Sequence, residues 1–242
     1  MSLLASWSRG SHTADGITHD VYRKGEGPGV VVIHEIPGLT PDVIAFAEEV
    51  VDQGHTVWLP QLFGVPEQAP TPKVLAREFA KICLNREFTR FALNETTPLA
   101  GWLRSLARDL HAEAGGPGVG VVGMCFTGGF ALAMLVDAPV VAPVVAQPSA
   151  PFPVGKRRAA DINLSPRDLE IVRKRVAGGC AVLGLRFERD PAVGTRFDTY
   201  RHQLGDNFIA VELPGRGHNT LTEHRQQEAV DRVLDFLHTR LS

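Results

Sequence analysis

A chain of 242 residues, 44% hydrophobic and 21% charged, can bury a full core without disulfides or bound metal. Its 25 Lys and Arg nearly cancel its 27 Asp and Glu, leaving a net charge of −2, so nucleic acid and anionic membrane are not expected partners. The three cysteines, Cys83, Cys125 and Cys180, are an odd number without Cys-x-x-Cys spacing, which argues against a disulfide framework or a structural zinc site.

The opening MSLLASWSRGSHTADG has no basic region followed by a long apolar stretch, and no apolar run is long enough to span a bilayer. No signal peptide is expected, and a cytoplasmic location follows as the default. Strand-like runs begin near residue 29. GVVVIH (29–34) reads as a strand buried on both faces. A helix follows over 40–54, with Thr40 as its N-cap, Pro41 in its first turn and Gly54 as its stop. HTVWLPQLF (55–63) reads as a second strand that breaks at Pro60. Residues 66–98 are an excursion or cap over the sheet edge, with one helical stretch at 73–84. An amphipathic helix over 99–114 stops at a double glycine. VGVVGM (119–124) is the third strand and 126–136 a helix; 139–149 is a fourth strand, broken by proline. Residues 153–178 read as a surface insertion whose helix is capped at Ser165-Pro166. Strands at 179–187 and 207–214, a helix at 193–205 and a closing helix at 222–241 complete the pattern.

This alternation predicts the α/β class: a mostly parallel central sheet with helices on both faces, in one domain over 1–242. In such sheets ligands bind beyond the carboxyl ends of the strands. Cys125 lies at one such end, between a strand and a helix, where the helix dipole favours a thiolate. Gly123, Gly128 and Gly129 allow a sharp turn there, although Thr127 stands where a G-x-S-x-G turn has its last glycine. Asp190 follows the fifth strand and His218 the sixth. Nucleophile, acid and histidine in that order are the order of the α/β-hydrolase fold. Glu35 directly follows the first strand's VVVIH, where it can hydrogen-bond the Cys125 thiol and hold it protonated. His34, Trp58, Trp102, Cys83 and Cys180 read as structural residues, the GKRR run at 155–158 as a solvated loop, and His224 as exposed.

With VVVIHEIPGLTP at 30–41, GVVGMCFTGGFALAM at 120–134, the aspartate of LGLRFERDP and GRGHNT at 215–220, the chain resembles the dienelactone hydrolases over roughly 28–238. These are cysteine-dependent members of the α/β-hydrolase fold. The resemblance implies Cys125 as nucleophile, His218 as general base and later acid, Asp190 as the residue orienting the imidazole, and Glu35 holding the thiol. It implies an oxyanion hole from the backbone N–H groups of Phe126 and Ile36. The implied reaction is hydrolysis of a small ester or lactone through a thioester acyl-enzyme, with no metal or organic cofactor. Members that open dienelactone grip its carboxylate with arginines, one of them four residues after the histidine; here that position is Thr222. Arg86, Arg90 and Arg216 are the candidates to replace it. A monomer is expected. The residues also leave open a catalytically silent binding or redox-responsive protein, and an acyltransferase. The reactivity of the Cys125 thiol separates the silent reading from the catalytic ones.

Overall fold

Strand β3 (Gly29–Ile33) and strand β5 (Val119–Met124) are buried on both faces along their whole length, as their unbroken apolar runs predict. They pair in parallel, Val31 against Val121 and Ile33 against Gly123. The computed structural model describes residues 2–85, 87, 88 and 94–242, apart from the side chains at 83 and 84. Strands β4 (Thr56–Gln61), β6 (Val140–Ala146), β7 (Val182–Phe187) and β8 (Phe208–Leu213) extend the parallel array in the order β4-β3-β5-β6-β7-β8. The expected mostly parallel sheet is present.

Two further strands lie outside the predicted set. β1 (Ser8–Ala14) and β2 (Ile17–Lys24) form an antiparallel hairpin, and β2 pairs antiparallel with β4, making a sheet of eight strands among the described residues. Asp15 and Gly16 close the hairpin with φ of 53° and 76°, the left-handed geometry that a two-residue Asp-Gly turn provides.

Helices cover both faces of the sheet. On one face α3 (Leu99–Ala114), α4 (Gly128–Met134), α6 (Pro166–Ala177) and α7 (Arg196–Leu204) pack over Val31, Ile33, Val121 and Val145. On the other, α1 (Pro41–Asp52) and α8 (Gln227–Leu241) pack over Val30, Val32, Val122 and Val144. Period-two alternation along β3 thus feeds two separate apolar layers. Helix α2 (Pro72–Leu84) lies in the excursion, and the short α5 (Gly155–Ala160) holds the exposed GKRR run. Thr40 and Ser165 cap α1 and α6 through their hydroxyls, each ahead of a proline, as expected; Thr71 does the same for α2.

The prolines disturb the sheet less than the sequence suggests. β4 continues through Pro60, which pairs with Val21 of β2 beyond the last β3–β4 pair, Val31 with Trp58. Pro143 stays inside β6, just after a register shift that sets Val119 against Val140 but Gly120 against Ala142. The extra residue, Val141, is a bulge that admits a residue without an N–H into an inner strand. The closing helix starts at Gln227 rather than 222, because the residues before it are engaged in the turn that follows His218. No helix among the described residues is long and apolar enough to cross a membrane.

Candidate active site

Cys125 leaves β5 with φ of 53°, a left-handed backbone that a non-glycine residue adopts only when its surroundings enforce it. A side chain at Gly123 would place its Cβ 2.5 Å from the Thr127 carbonyl oxygen, and one at Gly128 would lie 2.8 Å from the Pro148 Cα. These two glycines make the tight turn possible; Gly129 faces no comparable crowding. Thr127 has a positive role here. Its hydroxyl accepts a hydrogen bond from the Met124 N–H (3.1 Å) and lies within donating reach of the carbonyl oxygens of Met124 (3.0 Å), Ile33 (3.1 Å) and His34 (3.2 Å). One buried hydroxyl therefore ties the cysteine turn to the end of β3, where Glu35 and Ile36 lie.

Asp190 and His218 reach the same end of the sheet from β7 and β8. His218 Nδ1 is 2.6 Å from Asp190 Oδ2, and the other carboxylate oxygen accepts from the Ala192 N–H at 2.9 Å. The Asp190 side chain is almost fully buried, with 1% of its surface exposed, so its charge is little screened by water. Burial on its own would push the His218 imidazole down. The neighbouring Cys125 and Asp190 outweigh it and hold the imidazole well above its usual range. Cys125 and His218 line one cleft of about 420 Å³, and Ile36, Ser149, Phe79 and Phe152 are in its wall.

Glu35 is buried beside this cleft. The Thr222 hydroxyl donates to one of its oxygens and the Gln147 amide to the other at 3.4 Å. Among the described residues Cys125 bonds Ser149 and His218, so the expected bond from Glu35 to the thiol is not made here. Burial pushes the Glu35 carboxyl up from about 4.5 to about 7, against the pull of Thr222, His218 and Gln147. The folded state thus holds the proton more tightly than the unfolded chain does. The stability this confers is complete below pH 4.5 and is lost as pH rises through 7. Between those two values it falls by about 1.4 kcal/mol per pH unit, a loss of about 3 kcal/mol between pH 4 and pH 8. Urea denaturation of wild type and Glu35→Gln across that range is expected to show the difference between them changing by about this amount, in favour of the variant at pH 8. A constant difference would mean that Glu35 does not titrate there.

Residues 18–163, more than half of the chain, match the family model described as the dienelactone hydrolase family. The chain belongs to that family. It is a carboxylic ester hydrolase, lactones being cyclic esters. No curated protein matches it in sequence. Among solved structures it is similar to the dienelactone hydrolase of Anabaena variabilis, with a TM-score of 0.68 and 17% identity over 98% of each chain. It is also similar to a dienelactone hydrolase-like promiscuous phosphotriesterase, P91, from metagenomic libraries, with a TM-score of 0.64 and 17% identity over 98% of each chain. Est1E from Butyrivibrio proteoclasticus follows at 0.61 and 15%, over 96% of this chain and 98% of that one. At these identities the likeness is one of fold.

The hydrolase places the remaining candidates as follows. Arg216 is exposed and lines a separate hollow with Arg189, Pro191 and Gly217, so it does not face the Cys125 cleft. The backbone beyond Gly215 sends His218, not Arg216, inward. Arg86 and Arg90 lie outside the described residues, as does the side chain of Cys83. Phe126 is fully buried directly after the cysteine, and Ile36 is in the cleft wall. His34 is a core histidine. Burial pushes it down to about 4, and the neutral ring spans the Glu35 carbonyl and the Leu62 N–H, both at 3.0 Å. Trp58 and Trp102 are buried as expected, and Cys180 is half-buried, its thiol bonded to the Val141 carbonyl at 3.3 Å. His224 is exposed as expected but precedes α8 and reaches the cleft rim. Sequence reasoning missed Gln147 and Ser149. Their signal was present: two polar residues just past the carboxyl end of a buried strand, the same position that marked Cys125, Asp190 and His218.

Proposed function

We propose that the enzyme is a cysteine hydrolase of small uncharged esters or lactones, built on one domain, with Cys125 as nucleophile, His218 as general base and acid, and Asp190 orienting the imidazole. The observation that carries this reading is the convergence on one cleft of a cysteine on a left-handed turn and a histidine paired 2.6 Å from a buried aspartate. In this reading the thiol proton rests on His218 beside Asp190, a thiolate–imidazolium pair. In acylation the sulfur lone pair forms the C–S bond and the carbonyl electrons move to oxygen, facing the backbone N–H groups of Phe126 and Ile36. Collapse breaks the C–O bond, and the departing alkoxide takes the proton of His218. Neutral His218 then removes a proton from water as the water attacks the thioester, and the thiolate leaves with the C–S electron pair. The pair is restored and the acid product loses its proton to solvent.

The wall chemistry supports an uncharged substrate. Leu75, Ala76, Phe79, Phe152 and Ala192 give the cleft apolar surface, Glu223 adds an acidic group, and among the described lining residues there is no Lys or Arg. The test is a matched pair of p-nitrophenyl esters, butyrate and the mono-ester of glutarate, followed by intact-mass sampling within seconds. The butyrate is expected to have at least a tenfold higher kcat/KM, about 1.4 kcal/mol of discrimination. It is also expected to leave a transient acyl adduct on Cys125 that is absent from Cys125→Ala. Preference for the glutarate ester would overturn the uncharged substrate and direct attention to Arg86 and Arg90. A folded protein with no adduct and no turnover would leave only the silent scaffold.

A further inference from the structure

Ser149 is buried, with 1% of its surface exposed, yet its hydroxyl is 3.3 Å from the Cys125 sulfur. The contact is held from two directions. The Ser149 N–H donates to the Cys125 carbonyl at 2.9 Å, and two residues earlier Gln147 is anchored by its own N–H to the Leu185 carbonyl at 2.7 Å. The main chain that carries the hydroxyl is therefore fixed relative to the cysteine turn. Both atoms line the cleft.

From this geometry we infer that Ser149 is a further catalytic residue, whose hydroxyl donates to the Cys125 thiolate and stabilises it as the leaving group of the acyl-enzyme. The inference rests on the reading of Cys125 as nucleophile. A thiolate sulfur can only accept, so opposite it the Ser149 O–H must be the donor. A thioester sulfur is a weak acceptor. The bond is therefore strong before acylation, weak in the acyl-enzyme and strong again as the C–S bond breaks. An interaction that strengthens along deacylation lowers the barrier of that step, which is the slow one for a cysteine enzyme unless water is well activated. No atom is transferred to Ser149; its proton stays on the hydroxyl throughout. The role also accounts for what holds the resting sulfur in place while Glu35 bonds Thr222 and Gln147 instead.

The experiment compares wild type, Ser149→Ala and Ser149→Thr, with thermal melting to confirm that each is folded. The first measurement is the pH dependence of Cys125 alkylation by iodoacetamide, mapped by peptide mass. Loss of one hydrogen bond to a charge is expected to move the midpoint up by about one pH unit in Ser149→Ala, and Ser149→Thr, which keeps the hydroxyl, is expected to restore it. The second is pre-steady-state release from p-nitrophenyl butyrate. Ser149→Ala is expected to give a burst near one equivalent followed by turnover roughly tenfold slower, as acyl-enzyme accumulates. An unchanged alkylation midpoint in a folded Ser149→Ala, or slower turnover without acyl-enzyme accumulation, would overturn the role. If wild-type Cys125 alkylates no faster than Cys180, the nucleophile assignment itself falls, and the role of Ser149 with it.

Discussion

Replacing Asp190 by Asn is expected to lower kcat/KM on p-nitrophenyl butyrate by roughly 1,000- to 10,000-fold while the protein stays folded. Two effects act in the same direction. The Ala192 N–H would hold the amide oxygen of the new side chain as it now holds Asp190 Oδ1 at 2.9 Å, turning the NH₂ group toward His218 Nδ1. That ring nitrogen would have to accept, which moves the proton to the far nitrogen and leaves it unable to take one from water. The variant also removes the buried negative charge that stabilises the imidazolium, so the thiolate–imidazolium pair weakens. Steady-state kinetics with a melting curve alongside are the check. Activity within tenfold of wild type would show that Asp190 does not set the imidazole's orientation.

Arg196→Met is expected to destabilise the fold by about 3–5 kcal/mol, a drop of roughly 10 °C in melting temperature for a chain of this size. Arg196 is fully buried, and its guanidinium donates to five carbonyl oxygens. They belong to Pro151, Arg158, Asp161, Ala192 and Val193, on three stretches of chain, two of which reach the cleft at Phe152 and Ala192. Methionine fills much of the volume but leaves those oxygens without donors in an interior that water cannot reach. Lysine keeps the charge with only three rotatable donors in place of a planar fork, so Arg196→Lys is expected to recover part of the loss and not all of it. Calorimetry of the three proteins decides the matter. Because Ala192 in turn holds Asp190, and Pro151 adjoins the cleft residue Phe152, the Met variant is expected to lose activity below its melting point as well. A melting temperature within 3 °C of wild type would show that the carbonyls find other partners.

The central strands were legible because β3 and β5 are buried on both faces, a condition that writes an unbroken apolar run into the sequence. The hairpin of β1 and β2 was not, because its strands are mostly half-exposed and polar, and its one signal was the Asp15-Gly16 pair. At the site, Cys125 and His218 stand out by residue type and by position after a strand. The reach of Thr127 across to β3, and the choice of Glu35 between Cys125 and Thr222, depend on distances between strands far apart in the chain. No local pattern carries those distances. The prolines misled for a related reason: whether Pro143 breaks β6 depends on the register against β5, which the sequence of β6 alone does not contain.

The placement of β8 has a consequence for how the enzyme fails. It is an edge strand of the described sheet, paired with β7, and the loop after it delivers His218 to a cysteine three strands inward on β5. The thiol and its turn are thus secured at the most deeply embedded part of the molecule, and its base is hung from the margin. When heat or denaturant frays that margin first, as exposed edges tend to do, the enzyme loses its proton carrier while the sulfur is still in position. Such a molecule is a folded protein with an accessible, unassisted cysteine, open to oxidation before it is unfolded. Lost activity in an ageing sample would then record peeling at one edge of the sheet, well ahead of any collapse at its centre.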